Sequence, residues 1–542
     1  MRNRSRPRLL RAEQIDTLTP PHPSLTGTAQ RMSTNPATHR ELDPRGRWLA
    51  LAAALLGWMF DGAEMGVFSL VGRSALGDLM PDAPEARIGF WFGIVNAGFL
   101  VGAATGGVLF GWLGDRVGRV RAMTASVLTY AVFTGVCGLS SSPTQMGVLR
   151  FIAALGMGGE WSLGVALVME VWPNRSRAFM AGLIGAAANV GYLLVAFVGW
   201  GLAGFITHVR DGLAAVGLAD PTVATLTSHQ GWRILMILGT APALLTFFIR
   251  LFVPESARWQ RERREGRTSS WAAQDLAGVL VGAAGPALMI YLWAADFNWP
   301  VRLAGTAAGL AIATIGYMFP VARYLHRQAA AVGSADLRGT LRRMLLGAGL
   351  SGVALLGTWG AMQWSPSWAD KLTDGTAARL DAKYFTQMAG AGGAVIGTIL
   401  AALAGDWIGR RATYALFCVL SMASLLLLYQ GNTAYGPVFL GCSLLAGICT
   451  ASFYGWLPLY LPELFATRVR ATGQGFSFNF GRIIAAVGAL QVGNLFRDRI
   501  ELFGHQFTGG YPFACSAMSA IYLVGLVLIW FAPETRGKEL PE

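Results

Sequence analysis

The sequence predicts an all-α membrane protein: two six-helix bundles with two additional transmembrane helices between them. Three observations carry that reading. Hydrophobic residues make up 54% of the 542 residues and charged ones only 13%, roughly half the charge of an ordinary soluble domain. Apolar runs recur along the chain, each close to the ~20 residues a helix needs to cross a ~30 Å hydrocarbon core. Short polar motifs repeat in the same order in the two halves.

The apolar runs place six spans in the first half, at 49–72, 89–113, 122–140, 145–170, 178–206 and 232–253. Six more fall at 343–364, 385–404, 412–430, 435–460, 471–495 and 512–532. A middle pair lies at 275–295 and 303–322, joined by the polar turn Asp296 to Trp299. With fourteen crossings, Lys and Arg favour one set of alternating loops by more than two to one. This bias sets an orientation with both termini cytoplasmic, as in a bacterial inner-membrane protein. Losing one middle span would break the alternation. Losing both would preserve it, so the pair rests on hydropathy, and a re-entrant or surface hairpin is the alternative.

The domains read as a basic disordered tail at 1–47, a bundle at 48–254, a linker with the middle pair at 255–342, a bundle at 343–533 and a short tail at 534–542. The first tail has nine Arg against Glu13, Asp16, Glu41 and Asp43, no apolar leader run, and an internal Met32 that can serve as a start. The net charge of +13 lies in clusters between apolar runs, where it faces anionic lipid rather than nucleic acid. The five cysteines, Cys137, Cys418, Cys442, Cys449 and Cys515, form no CxxC pair or Cys/His metal spacing. No metal or cofactor is called for.

GDRVGR at 114–119 matches GDWIGR at 405–410, EVWPNRSRA at 170–178 matches ELFATRVRA at 463–471, and PES at 254–256 echoes PET at 533–535. Each copy ends a span on the basic side. Two similar bundles can rock about a central site and expose it to each face in turn, which is a physical route to transport.

These motifs resemble a known family. GWLGDRVGRVR at 111–121 is similar to the signature between the second and third helices of the major facilitator superfamily. The second copy departs from it at Trp407, where a basic residue is usual. RFIAALGMGGE at 150–160 resembles the fourth helix, and GWR at 231–233 with VPESARW at 253–259 the end of the sixth. YLPELFATRVRATGQGFSFNFGR at 460–482 and PETRGKEL at 533–540 point to the sugar and metabolite:proton symporter branches. The sialate:proton symporter-like group, some of whose members insert two central helices, is the nearest resemblance. It implies a carrier that works as a monomer.

Asp115, Arg116, Gly118, Arg119 and Arg121 occupy the short connection after the second span, and Asp406 and Arg410 its second copy. A carboxylate there can meet a helix N-terminus or an Arg of the other half. The resemblance implies that the group stabilises one access state; a plain basic connector is the bland alternative. Glu170 with Arg175 and Arg177, and Glu463 with Arg468 and Arg470, are expected partners that break when the cytoplasmic side opens. Local helix-end pairing is their alternative.

A charge inside the membrane is costly and faces a cavity or a partner. Asp61 and Glu64 lie three apart on the first span, Arg150 and Glu160 on the fourth, and Asn479 and Arg482 on the thirteenth. Asp61 or Glu160 can carry a proton, since a carboxyl in low dielectric holds its proton tightly. Arg150 can bind an anion or pair with a first-helix acid. Arg482 suits a substrate carboxylate through paired guanidinium hydrogen bonds, with a gate ion pair as the competing use. Gln363, Trp359 and Trp364 can line the pocket, although lipid anchoring suits the Trp pair better.

The sequence holds no P-loop, no HExxH and no nucleophile constellation. The leading expectation is a secondary transporter that couples a proton to an organic anion or sugar acid. A neutral-sugar or drug carrier and a non-transporting solute receptor are the alternatives, and an enzyme is the least favoured class.

Overall fold

The computed structural model describes residues 44–541, except 173–175, 242–244, 246–248, 250–251, 267–270, 296, 333–335, 377–378, 484, 487–498, 503–504 and 509. The N-terminal tail to residue 43, Arg175 and parts of the sixth and thirteenth predicted spans therefore lie outside the described residues.

The first bundle comprises α1 (Pro44–Leu79), α2 (Glu85–Val117), α3 (Arg119–Cys137), α4 (Pro143–Val171) and α5 (Arg177–Ala215). They are followed by the short α6 (Asp220–Thr227) and α7 (Trp232–Leu238), which opens the sixth span. A polar helix, α8 (Ala257–Arg264), leads to the middle pair α9 (Leu276–Ala294) and α10 (Trp299–Val332). The second bundle has α11 (Leu337–Gly360), α12 (Ser365–Leu372), α13 (Arg379–Ile408), α14 (Arg410–Gln430), α15 (Pro437–Ala451), α16 (Phe453–Tyr460), α17 (Arg470–Asn479), α18 (Tyr511–Ser519) and α19 (Ile521–Leu528). The fold is all-α except for a short antiparallel hairpin, Arg499–Leu502 against His505–Thr508, in the loop before α18.

Twelve of the described helices are long and apolar enough to cross a bilayer, and the middle pair supplies two of them. α10 alone runs 34 residues, long enough at about 1.5 Å per residue to cross the membrane with turns to spare. The outer faces stay apolar and exposed, as with Leu128, Phe197, Leu280, Ile315, Val419 and Val527. Such a belt suits lipid rather than water.

Small residues set the helix spacing. A Cβ at Gly106 would overlap the Leu155 backbone, and one at Gly158 the Ala103 backbone, so α2 and α4 touch main chain to main chain. Gly475 and Gly107 bring α17 of the second half equally close to α2 of the first. The middle hairpin closes the same way, with Gly285 against Gly309. It docks on α2 through Thr105 Oγ1 and Tyr317 Oη, 2.7 Å apart. At its base Arg327 grips Asp275 with both arms, and Trp271 stacks on Tyr324 at 4.2 Å.

Candidate functional site

Helices of both halves enclose a central cavity that admits the centre of a water-sized sphere over about 110 Å³. Trp58 of α1 and Tyr192 of α5 face Trp359 of α11, Gln387 of α13, Tyr454 of α16 and Phe478 of α17. Its walls are largely apolar and aromatic, with a few fixed polar groups, the usual make-up of a small-molecule site. Gln363 lines it too, taking a hydrogen bond from Tyr192 Oη at 3.1 Å and giving one to Ser69 Oγ.

Arg482 follows α17 and lines the cavity while only 2% exposed. Its Nε and Nη1 have no hydrogen-bond partner among the described residues, and Cζ lies 5.5 Å from the Phe478 ring. Leaving donors of a buried guanidinium unpaired is costly, and Asp61 is the acidic group that acts on this cation.

Behind the cavity, Asp61 of α1 is fully buried and neither carboxyl oxygen is satisfied. Glu160 of α4, 1% exposed, acts on it most strongly among the charged groups, followed by Arg482 and Glu64. Gly57 makes this approach possible, because a Cβ there would fall on the Glu160 carboxyl. Glu64 turns elsewhere. It forms a buried ion pair with Arg150, whose guanidinium sits 4.7 Å from the Phe68 ring and 4.5 Å from Phe99. Arg150 is thus enclosed by α1 and α2 and is not among the cavity-lining residues.

The basic face is tied shut across the halves. Asp115, ending α2, accepts hydrogen bonds from Thr472 N at 2.9 Å and Thr472 Oγ1 at 2.6 Å, at the N-terminus of α17. There its charge also meets the positive end of the helix dipole. Arg119 binds Asp115 at 2.6 Å, Glu170 at 3.3 Å and the Thr467 carbonyl at 2.8 Å. Arg470 of the second half reaches Glu170 of the first at 3.0 Å and the Pro541 carbonyl at 2.6 Å. Deeper in, Gln474 donates to Ser162 O, Asn479 donates to Gly158 O at 3.0 Å, and Trp161 stacks on Phe478 at 3.7 Å. The opposite face also has ties between the halves, such as Trp200 Nε1 to Asp381 at 3.0 Å and Lys383 Nζ to Leu70 O at 2.9 Å.

The second copy repeats the local geometry. Gly118 and Gly409 both have positive φ, 117° and 102°, a conformation a side chain would strain. Glu255 caps α3 by accepting from Arg119 N at 2.9 Å and Val120 N at 3.1 Å. Glu534 caps α14 likewise, from Arg410 N at 3.0 Å and Arg411 N at 3.1 Å. Arg410 grips Glu463 at 2.7 Å, as Arg119 grips Glu170. Two features differ. Asp406 is half exposed and lies 3.5 Å from Arg410, and Trp407 is 77% exposed. The caps also differ in charge balance. Burial pushes the Glu255 carboxyl up, and its backbone N–H partners and Arg119 offset this only in part. Burial also raises Glu534, but four backbone N–H groups outweigh it and hold that carboxyl below its ordinary value.

Glu170 and Glu463 are the expected partners of the two loops, and each meets the Arg of its own loop, Arg119 and Arg410; the structure adds a link that crosses between the halves. Glu170 takes Arg470 across the halves, and Glu463 is the charge that acts most strongly on Arg177. Each Glu ends one helix and each Arg starts the next, and the interface sets the two repeats face to face. Arg116 and Arg121 are exposed, the former over Trp112 at 5.1 Å, and Arg468 is half-buried. Asn479 ties α17 to α4 and is not among the cavity-lining residues, whereas Trp359 is. Sequence reasoning missed Tyr192, Tyr454, Phe478, Glu255 and Glu534. The PES/PET echo was a signal for the last two; nothing marks the aromatic residues among so many others.

Two helical bundles around a shared cavity, with a repeated GDxxGR turn on one face, define a secondary transporter of the major facilitator class. The chain belongs to the sugar (and other) transporter family, whose profile matches residues 49–282 and 298–540. This makes it a carrier and not an enzyme. It is 25% identical over 481 residues to the cis,cis-muconate transport protein of Acinetobacter baylyi, covering 88% of this chain and 94% of that one. It is also 25% identical to the niacin transporter NiaP of the same organism, covering 90% and 93%. Among solved structures, the proton:xylose symporter XylE superposes with a TM-score of 0.60 at 19% identity, covering 91% of this chain and 97% of that one. These relatives span several substrate types and do not single out the sialate:proton symporter-like branch.

Proposed function

We propose that this chain is a proton-coupled symporter of a small organic acid that works by alternating access. The observation that carries the reading is Arg482, a buried guanidinium in the cavity wall with Nε and Nη1 unpartnered among the described residues. A carboxylate would supply the missing acceptors. The relatives that carry muconate and niacin support an acid over a neutral sugar.

The carboxyl pair supports the coupling. Asp61 and Glu160 cannot both keep a charge side by side in a dry interior, so the pair shares a proton and Arg482 balances the remaining charge. A substrate carboxylate that takes Arg482 removes that balance, and the pair then binds a second proton. Acid and proton thus load together, and binding both favours reorientation. In this reading the basic face is cytoplasmic, the membrane is the bacterial inner membrane, the two bundles are 48–254 and 343–533, and the working unit is a monomer. Asp115, Arg119, Glu170, Arg410, Glu463 and Arg470 serve as the cytoplasmic gate. A sialate-type carrier with the same inserted helix pair is a narrower form of this reading.

The test is uptake by purified protein in vesicles with an imposed pH gradient. The panel contains sialate, short monocarboxylates, aromatic acids and neutral sugars. Gradient-driven uptake of an acid, abolished by an uncoupler, is expected. Uptake indifferent to both would sink the coupling, and uptake of neutral sugars alone would sink the acid.

A further inference from the structure

A second cleft, of about 280 Å³, lies on the basic face between the α2–α3 turn and α8. Arg121 of α3 stands on one side, Arg263 and Arg264 of α8 on the other, and Gln260 and Trp259 complete the wall. All three arginines are exposed. None takes part in an ion pair among the described residues; Arg263 only lies over the Trp259 ring, at 5.5 Å. The one carboxylate in the cleft, Glu255, is turned to the backbone N–H groups that open α3. Three guanidinium groups therefore line one cleft with no ion-pair partner among the described residues.

The chemistry that suits them is a phosphate oxyanion, which the guanidinium fork binds in paired hydrogen bonds. Position argues for the source. The apolar span of α2 ends at Val117 and that of α3 begins at Arg119, so the cleft opens where lipid headgroups lie. Basic pockets at that level bind anionic headgroups. The cleft also touches the gate. Trp259 Nε1 donates to the Asp115 carbonyl at 2.9 Å, and α8 packs against the turn Thr467–Val469 of the second half. A group bridging Arg121 to Arg263 and Arg264 would pin α8 in the place where it supports the closed gate.

We propose that this cleft binds the phosphate of an anionic phospholipid and that its occupancy holds the basic face shut. The test uses the full chain in nanodiscs of phosphatidylcholine, with or without phosphatidylglycerol. Intact-complex mass spectrometry counts retained phosphatidylglycerol, and spin labels at positions 179 and 536 report gate closure. The double variant Arg263→Gln/Arg264→Gln should bind phosphatidylglycerol about thirty-fold more weakly, the effect of two arginines at an anionic surface. Its closed population should no longer respond to the lipid, while its uptake in phosphatidylcholine stays normal. Arg261→Gln, on the same helix but outside the cleft, should behave as wild type. Unchanged lipid retention in the double variant, or an equal loss in Arg261→Gln, would overturn the site. Closure by inorganic phosphate in phosphatidylcholine alone would overturn the lipid as its source.

Discussion

Asp61, Glu160 and Arg482 form a buried charge cluster, and in the proposed reading one shared proton balances it until an anion takes Arg482. Replacing Arg482 with Gln removes the cation and leaves the cavity shape nearly intact. Acid binding should then fall by about 2–3 kcal/mol, the value of a charge-assisted hydrogen bond, or roughly 30- to 150-fold in Kd by equilibrium titration. Asp61→Asn should abolish gradient-driven uptake while acid exchange across the vesicle persists. Glu160→Gln should do the same, because the two carboxyls act as one site; full coupling in either variant would assign the proton to the other residue alone. Each of these residues was legible in the sequence, as a charge inside an apolar run. Their grouping was not. Asp61 meets Glu160 only because Gly57 lets α4 pack against α1, and Arg150 is withdrawn from the cavity because Glu64 and two Phe rings hold it. Such pairings depend on how helices rotate against one another, and periodicity along one helix does not record that.

Helix ends carry the pseudo-symmetry. The repeat GDxxGR predicts a tight turn, and Gly118 and Gly409 adopt it with positive φ. The repeat PES/PET marks a carboxylate that returns across the bundle to cap the helix after that turn. The two caps should respond to pH in opposite senses. Glu534 titrates below its ordinary value, so its stabilisation is full above the ordinary carboxylate range and is lost as pH falls through the lowered pKa. Glu255 titrates above its ordinary value, so its stabilisation is full at acid pH and declines as pH rises through the raised pKa. Thermal unfolding in detergent across pH checks this. The penalty of Glu534→Gln should grow from acid to neutral pH, and that of Glu255→Gln should shrink. Parallel trends would show that the two caps do not differ in this way. The middle pair was legible as two apolar runs, and its docking on α2 through Tyr317 was not, since one Tyr among thirteen carries no mark.

The whole molecule is closed on its basic face by contacts that cross between the halves, and the two gate copies share that work unequally. Asp115 is buried and spans the interface to α17, whereas its counterpart Asp406 is half exposed and lies 3.5 Å from the Arg410 beside it. A repeat at the level of sequence has thus become a buried tie between the halves in one copy and a more exposed turn in the other. Trp407, standing where the family has a basic residue, fits the weaker role, as it projects outward and is 77% exposed. Asp115→Asn should therefore remove a charge-assisted link in the closed state and cost that state about 2 kcal/mol, the scale of one such bond. That is roughly a thirty-fold shift in the ratio of closed to open molecules. Asp406→Asn should shift the ratio little. Spin-label distances between positions 179 and 536 read both changes, with the longer-distance population rising in the first variant only. An equal shift in the two variants would mean that both turns lock the gate, and the asymmetry in the structure would then have no counterpart in the transport cycle.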